Sequence, residues 1–92
     1  MVEVTLAVKN QLGLHARAAA RLVRTASRFQ CKLRLERIDG SASADAKSIL
    51  NVLMLAAGGG TELRAIAEGR DEAEAIAALS GLFEDGFGEL TQ

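Results

Sequence analysis

The apolar residues of this chain switch period again and again within 92 residues, and that switching leaves few folds open. Val2, Val4, Leu6 and Val8 alternate with Glu3, Thr5, Ala7 and Lys9, the period of a strand with one buried face. Ala16, Ala19, Ala20, Leu22, Val23 and Ala26 then recur at helical steps, which predicts a helix from His15 to about Arg28. Cys31, Leu33 and Leu35 return to alternation, so a second strand reaches about Ile38, where Asp39-Gly40 supplies a hairpin turn and a third strand follows near Ser41 to Ala44. A short helix starts at Ser48 and is expected to stop at Gly58-Gly59-Gly60, which cannot sustain helix. Thr61 to Glu68 reads as the last strand. Asp71 reads as the N-cap of a final helix, with Glu74 as its capping partner, and Ala75, Ile76, Leu79, Leu82 and Phe83 form an apolar stripe that ends at about Asp85. The order strand, helix, strand, strand, helix, strand, helix is that of a two-layer α+β domain, three helices covering one face of a four-stranded sheet.

The length suits one domain spanning 1–92, with a core over about 2–85 and a tail over about 86–92 that Gly86 and Gly88 are expected to fray. A net charge of −1, with no Trp or Tyr and three Phe, offers neither a general attraction to nucleic acid nor rings on which bases would stack. The single Cys31 excludes an internal disulfide and leaves no cysteine cluster for a metal; it reads as a small core residue, and no cofactor is expected. The N-terminal alternation lacks the basic start and apolar run of a signal peptide. The apolar stretch from Ile49 to Ala57 is broken by Asn51 and too short for a bilayer, so a cytoplasmic protein without membrane insertion is expected.

The chemistry concentrates in Gly13-Leu14-His15-Ala16-Arg17, which puts the only histidine at the mouth of the first helix. First-turn amides, those of Ala16 and Arg17 foremost, have no partner within a helix, and the helix dipole adds partial positive charge there. An anion beside His15 is favoured by both, and by the Arg17 guanidinium. The positive helix end also favours an uncharged ring, hence a nitrogen nucleophile, and then stabilises the anionic product. Arg17, Arg21, Arg24 and Arg28 form one stripe with no acidic residue between Ala16 and Gln30, which suits an acidic partner surface. Each taken alone is better explained as a solvated helix face. Ser48 is sufficiently explained as an N-cap, although a phosphate there would set negative charge beside the apolar segment Ile49 to Leu55. That segment is apolar almost all round, while a short helix on a sheet buries about half its surface, so an exposed interaction patch is expected. The triple glycine reads as a turn, because no Gly-Lys-Ser/Thr follows it.

Gly13-Leu14-His15-Ala16-Arg17 with Ala19-Ala20, followed by Ala46-Lys47-Ser48-Ile49 and by Ala67-Glu68-Gly69 before an acidic last helix, closely resembles the histidine-containing phosphocarrier family HPr, from about Val4 to Phe83. The resemblance implies an open-faced β-sandwich with an antiparallel sheet. It implies phosphoryl relay in the phosphoenolpyruvate-dependent sugar phosphotransferase system, by a carrier that has no turnover alone. His15 would accept the group on Nδ1 from enzyme I and pass it to an enzyme IIA, and Arg17 would stabilise it. Ser48 matches the serine that a regulatory kinase, the HPr kinase/phosphorylase, modifies in some members. Ile49, Leu50 and Leu53, with Ala16, Ala20 and Arg24, fall where the family docks partners, and the carrier is expected as a monomer.

Ala18 departs from the proline of many relatives, Asn51 from a common glycine, and the Asp39 to Asp45 loop is slightly longer; none touches His15 or Arg17. Two rival classes remain distinguishable. A small nucleic-acid binder using the arginine stripe predicts salt-sensitive retention on DNA or RNA and indifference to His15→Ala. A non-catalytic regulator acting through Ser48 predicts loss of activity in Ser48→Ala and none in His15→Ala.

Overall fold

The structure is a computed structural model that describes residues 1–89. Seven elements follow the expected order: β1 (Val2–Ala7), α1 (Ala16–Ala26), β2 (Lys32–Arg37), β3 (Ser43–Asp45), α2 (Ile49–Met54), β4 (Glu62–Glu68) and α3 (Glu72–Glu84), with a 3-10 turn over Gly86–Gly88. The four strands form one antiparallel sheet in the order β1-β4-β2-β3.

Register explains why only one face of that sheet is covered. Leu6 stands opposite Leu63, Val4 opposite Ala65, Leu35 opposite both Ala65 and Ala44, and Leu33 opposite Ala67. Successive side chains point to opposite faces, so these residues share the helix side. All but the partly buried Val4 are in the core with Ala18, Ala19, Leu22 and Ala26 of α1, Val52 of α2 and Ala75, Ile76, Leu79 and Phe83 of α3. The alanines of the central β4 let the helices approach the sheet closely. The other face carries Glu3, Arg34, Glu36 and Arg64, where Arg34 and Arg64 reach Glu36 at 3.0 and 3.4 Å and Arg64 reaches Glu3 at 3.7 Å. That face is polar and open.

Four local expectations need correction. The helical stripe of α1 includes Ala18, which is fully buried, whereas Ala16 is exposed and Ala20 only half-buried. α2 stops at Met54, short of the triple glycine, and Ala56 takes the left-handed conformation (φ 51°) that a glycine was expected to supply. Leu55 and Ala57 are buried on either side of it, and their packing fixes the break. Asp71 stands at the N-cap position of α3 but makes no cap bond there. Its two carboxylate oxygens accept the backbone N–H groups of Gln30 and Cys31, both at 2.9 Å, tying α3 to the start of β2. Glu72, in place of Glu74, reaches back to the N–H of Gly69.

The fourth correction concerns the tail. Gly86 and Phe87 are buried and Glu89 half-buried, while residues 90–92 lie outside the described residues. Phe87 is completely buried and meets Phe83 edge-on, the ring centres 4.9 Å apart. It holds a left-handed backbone (φ 57°, ψ 29°), strained for a residue with a Cβ, and the buried ring compensates. Gly86 and Gly88, read as breakers, supply positive φ on both sides of that anchor.

Candidate functional site

The loop before α1 is built to hold His15 in place. Asn10 is buried; its amide nitrogen donates to Gly13 O at 2.8 Å, and Gly13 N donates back to Asn10 O at 3.1 Å. Gly13 adopts φ +68°, and a Cβ there would drive into Ala57 O and Gly58 Cα, so glycine is required on steric and conformational grounds alike. Leu14 is buried and donates its N–H to Ala57 O at 2.9 Å. The chain thus arrives at His15 pinned on both sides.

His15 is the N-cap residue of α1, extended at φ −73° and ψ −179°, and its side chain makes no cap bond. The first-turn amides are therefore left without an internal acceptor. The ring turns outward to a side-chain exposure of 26%, neither packed away nor free. Its Nε2 lies 2.8 Å from Glu89 Oε2, and Glu89 Oε1 accepts the Asn10 amide at 2.9 Å. Arg17, exposed, brings Nε to 3.7 Å from the same Oε2. The Asn10 amide above all, with His15 and Arg17 adding to it, holds the Glu89 carboxyl below the usual carboxylate range.

The arginine stripe is accordingly less free than α1 alone suggests. Arg21 donates from Nη1 to Phe87 O at 2.8 Å, locking the tail onto the helix, and the Arg28 guanidinium stands 5.9 Å over the Phe29 ring. Arg24 is exposed, and no ion pair engages it among the described residues. Compensation of the stripe comes from Glu89, 74 residues from His15.

Ser48 is the N-cap of α2, where its Oγ accepts Asn51 N–H at 3.4 Å, a long bond. Of the residues expected to dock partners, Ile49 and Leu50 are exposed, Leu50 to 69%, and Leu53 is half-buried against the core. Met54 and Leu12 belong to the same class of exposed large apolar residues, with Met54 at 78%. Cys31 is buried, and burial first, then the Asp71 carboxylate, pushes its thiol up, as suits an inert core residue.

His15 and Arg17, close together in the motif, both approach one carboxylate, Glu89, which the motif does not include, nor does it include Asn10 or Phe87. The available signal was Phe87 set between two glycines, Gly86 and Gly88, and flanked by the acidic Asp85 and Glu89.

A family model described as the PTS HPr component phosphorylation site matches residues 2–85. The chain belongs to the HPr family. Phosphocarrier protein HPr of Xylella fastidiosa is 48% identical over 91 residues, covering 99% of this chain and all of the relative. A crystal structure of HPr from Thermoanaerobacter tengcongensis superposes with a TM-score of 0.91 at 45% identity, covering 97% of this chain and 98% of that one. A second structure from that organism, of an HPr dimer, gives 0.75 at the same identity over 97% of this chain and all of that one. This member of the family is therefore a phosphocarrier of the phosphotransferase system with the open-faced sheet of its relatives. Among the described residues no helix is long and apolar enough to cross a membrane.

Proposed function

We propose that His15 carries the phosphoryl group, accepting it on Nδ1 from phosphorylated enzyme I and donating it to an enzyme IIA in the cytoplasm. The carrying observation is the half-buried, outward-turned imidazole at an N-cap whose first-turn amides have no side-chain cap. In each transfer the N–P bond of the donor phosphohistidine breaks, its electron pair returning to the donor nitrogen, while a His15 lone pair forms the new N–P bond. The Ala16 and Arg17 amides and the Arg17 guanidinium receive the anionic group. The chain works as a single carrier domain over 1–92 and is a substrate of its transferases.

Ala16, Ala20 and Arg24 of α1 with Ile49, Leu50 and Leu53 of α2 form the docking surface for both partners. Burial of the exposed apolar side chains supplies affinity, and Arg24 steers an acidic partner. Ser48 is the regulatory phosphorylation site, where a phosphate would place about two negative charges beside that surface. The carrier acts as a monomer, which sedimentation at working concentration tests against the dimer known for a relative.

Intact mass after incubation with enzyme I and phosphoenolpyruvate tests the central reading. An acid-labile gain of one phosphate, absent in His15→Ala, is expected; an unchanged mass with a competent enzyme I refutes it. Arg17→Ala is expected to slow transfer roughly a hundredfold with the far-UV spectrum unaltered. An unaltered rate would remove its role.

A further inference from the structure

The contact between His15 and Glu89 has a chemical direction. An ionised carboxylate accepts hydrogen bonds and donates none. Glu89 is held ionised, because Oε1 faces the Asn10 amide nitrogen, which must itself donate to Gly13 O on its other side. Oε2 therefore requires a donor from the ring, and the only ring nitrogen in reach is Nε2, at 2.8 Å. A neutral imidazole meets that requirement only with its proton on Nε2, which leaves the lone pair on Nδ1 at the opposite edge of the ring.

We propose that Glu89, aimed by Asn10 and anchored through Phe87, is a positioning residue for phosphoryl transfer that holds His15 as the Nε2–H tautomer with Nδ1 as the nucleophile. Every joint of that arm is built. The buried Phe87 ring fixes the turn, Arg21 clamps Phe87 O, and the Glu89 side chain is only 9% exposed although three residues from the end of the chain. Its reach is thus specified by the core. The inference rests on His15 being the carrier, and it adds what selects the reacting nitrogen.

The step balances without a further reactant. As the Nδ1 lone pair forms the N–P bond, the donor's N–P bond breaks with its pair retained by the donor nitrogen. The Nε2 proton stays in place, so the phosphorylated ring becomes formally cationic beside the Glu89 carboxylate. The carboxylate thereby stabilises charge that develops only as the bond forms, an effect on rate more than on docking. Arg17, 3.7 Å from Oε2, offsets the repulsion between that carboxylate and an incoming anion.

The test uses the full chain with 15N-labelled histidine, at alkaline pH and without enzyme I, and compares Glu89→Gln. A glutamine offers one acceptor oxygen where two donors must be met, so either Asn10 or His15 loses its partner. The parent protein is expected to show a slowly exchanging imidazole proton on Nε2 and a type-β (unprotonated) Nδ1 signal. In Glu89→Gln that proton is expected to exchange rapidly, and single-turnover phosphorylation by enzyme I to slow by an order of magnitude with the docking affinity unchanged. A proton on Nδ1 in the parent, or a Glu89→Gln rate equal to that of the parent, overturns the proposal. The ring signals are read without phosphate chemistry. Failure of the parent to gain any phosphate therefore refutes the carrier reading and with it the role in transfer, leaving only the tautomer to the ring signals, whereas normal phosphorylation of Glu89→Gln refutes only the role of Glu89.

Discussion

The N-termini of α1 and α2 present the same problem, unpaired amides after an extended residue, and solve it in opposite ways. At α2 the Ser48 hydroxyl turns back to Asn51 N–H, so the first turn is partly satisfied from within. At α1 the His15 ring turns away, toward Glu89, and no side chain caps the turn. A capped terminus is complete as structure; an uncapped one keeps its donors for something that arrives later. The two ends also differ in their surroundings. Around Ser48 the following helix exposes Ile49, Leu50 and Met54, a surface for contact, while around His15 stand Arg17, Asn10 and Glu89, a setting for charge.

The largest effect that could break this contrast is in transfer itself. His15→Ala should abolish phosphate gain, and Ser48→Ala should leave the transfer rate within a factor of about two, both read by intact mass with time. Loss of transfer in Ser48→Ala alone would reverse the assignment of the two termini. Next in size is Phe87→Ala, which removes the anchor that brings Glu89 to α1 but leaves α2 untouched. A loss of about 3 to 5 kcal/mol is expected in urea unfolding, the range for a buried aromatic truncated to alanine. Alanine keeps a Cβ, so the left-handed strain at this position persists and does not offset the loss.

Ser48→Ala should cost about 0.5 kcal/mol, the low end for a lost N-cap, since the bond to Asn51 is long and α2 is short. The smallest and most diagnostic effect lies in acid, at the third helix start. The N–H of Gln30 above all, with that of Cys31, holds the Asp71 carboxyl below the usual carboxylate range. The folded protein therefore binds this proton less readily than the unfolded chain. The stabilisation is complete above the ordinary carboxyl range and is lost as pH falls through it to the lowered folded value. Thermal melts of Asp71→Asn against the parent should differ at neutral pH and converge toward the acid limit, and a constant difference would count against the assigned bonds.

The alternation of β1 and β2 and the helical spacing of α1 and α3 were legible because each records one element's own buried face. The Gly13 to Arg17 motif was legible because a helix start, a histidine and an arginine are adjacent in the chain. Where the reading failed, a tertiary partner had displaced a local one. Asp71 and Glu74 have the spacing of a capping box, yet the unpaired amides of Gln30 and Cys31 took the Asp71 carboxylate. Gly58-Gly59-Gly60 is the stronger local stop signal, yet burial of Leu55 and Ala57 ended α2 earlier, at the cost of a left-handed Ala56.

What the chain dictated by itself was the alphabet of the fold and the motif around its single histidine, since periodicity and a short motif act over a few positions. The tertiary structure alone decided which carboxylate meets the imidazole, because Glu89 and Asn10 become neighbours only after the core has closed on Phe87. No interval in the sequence encodes that meeting. It follows from a ring excluded from water at one end of the chain and a loop pinned at the other, and the orientation of His15 is set where the two come together.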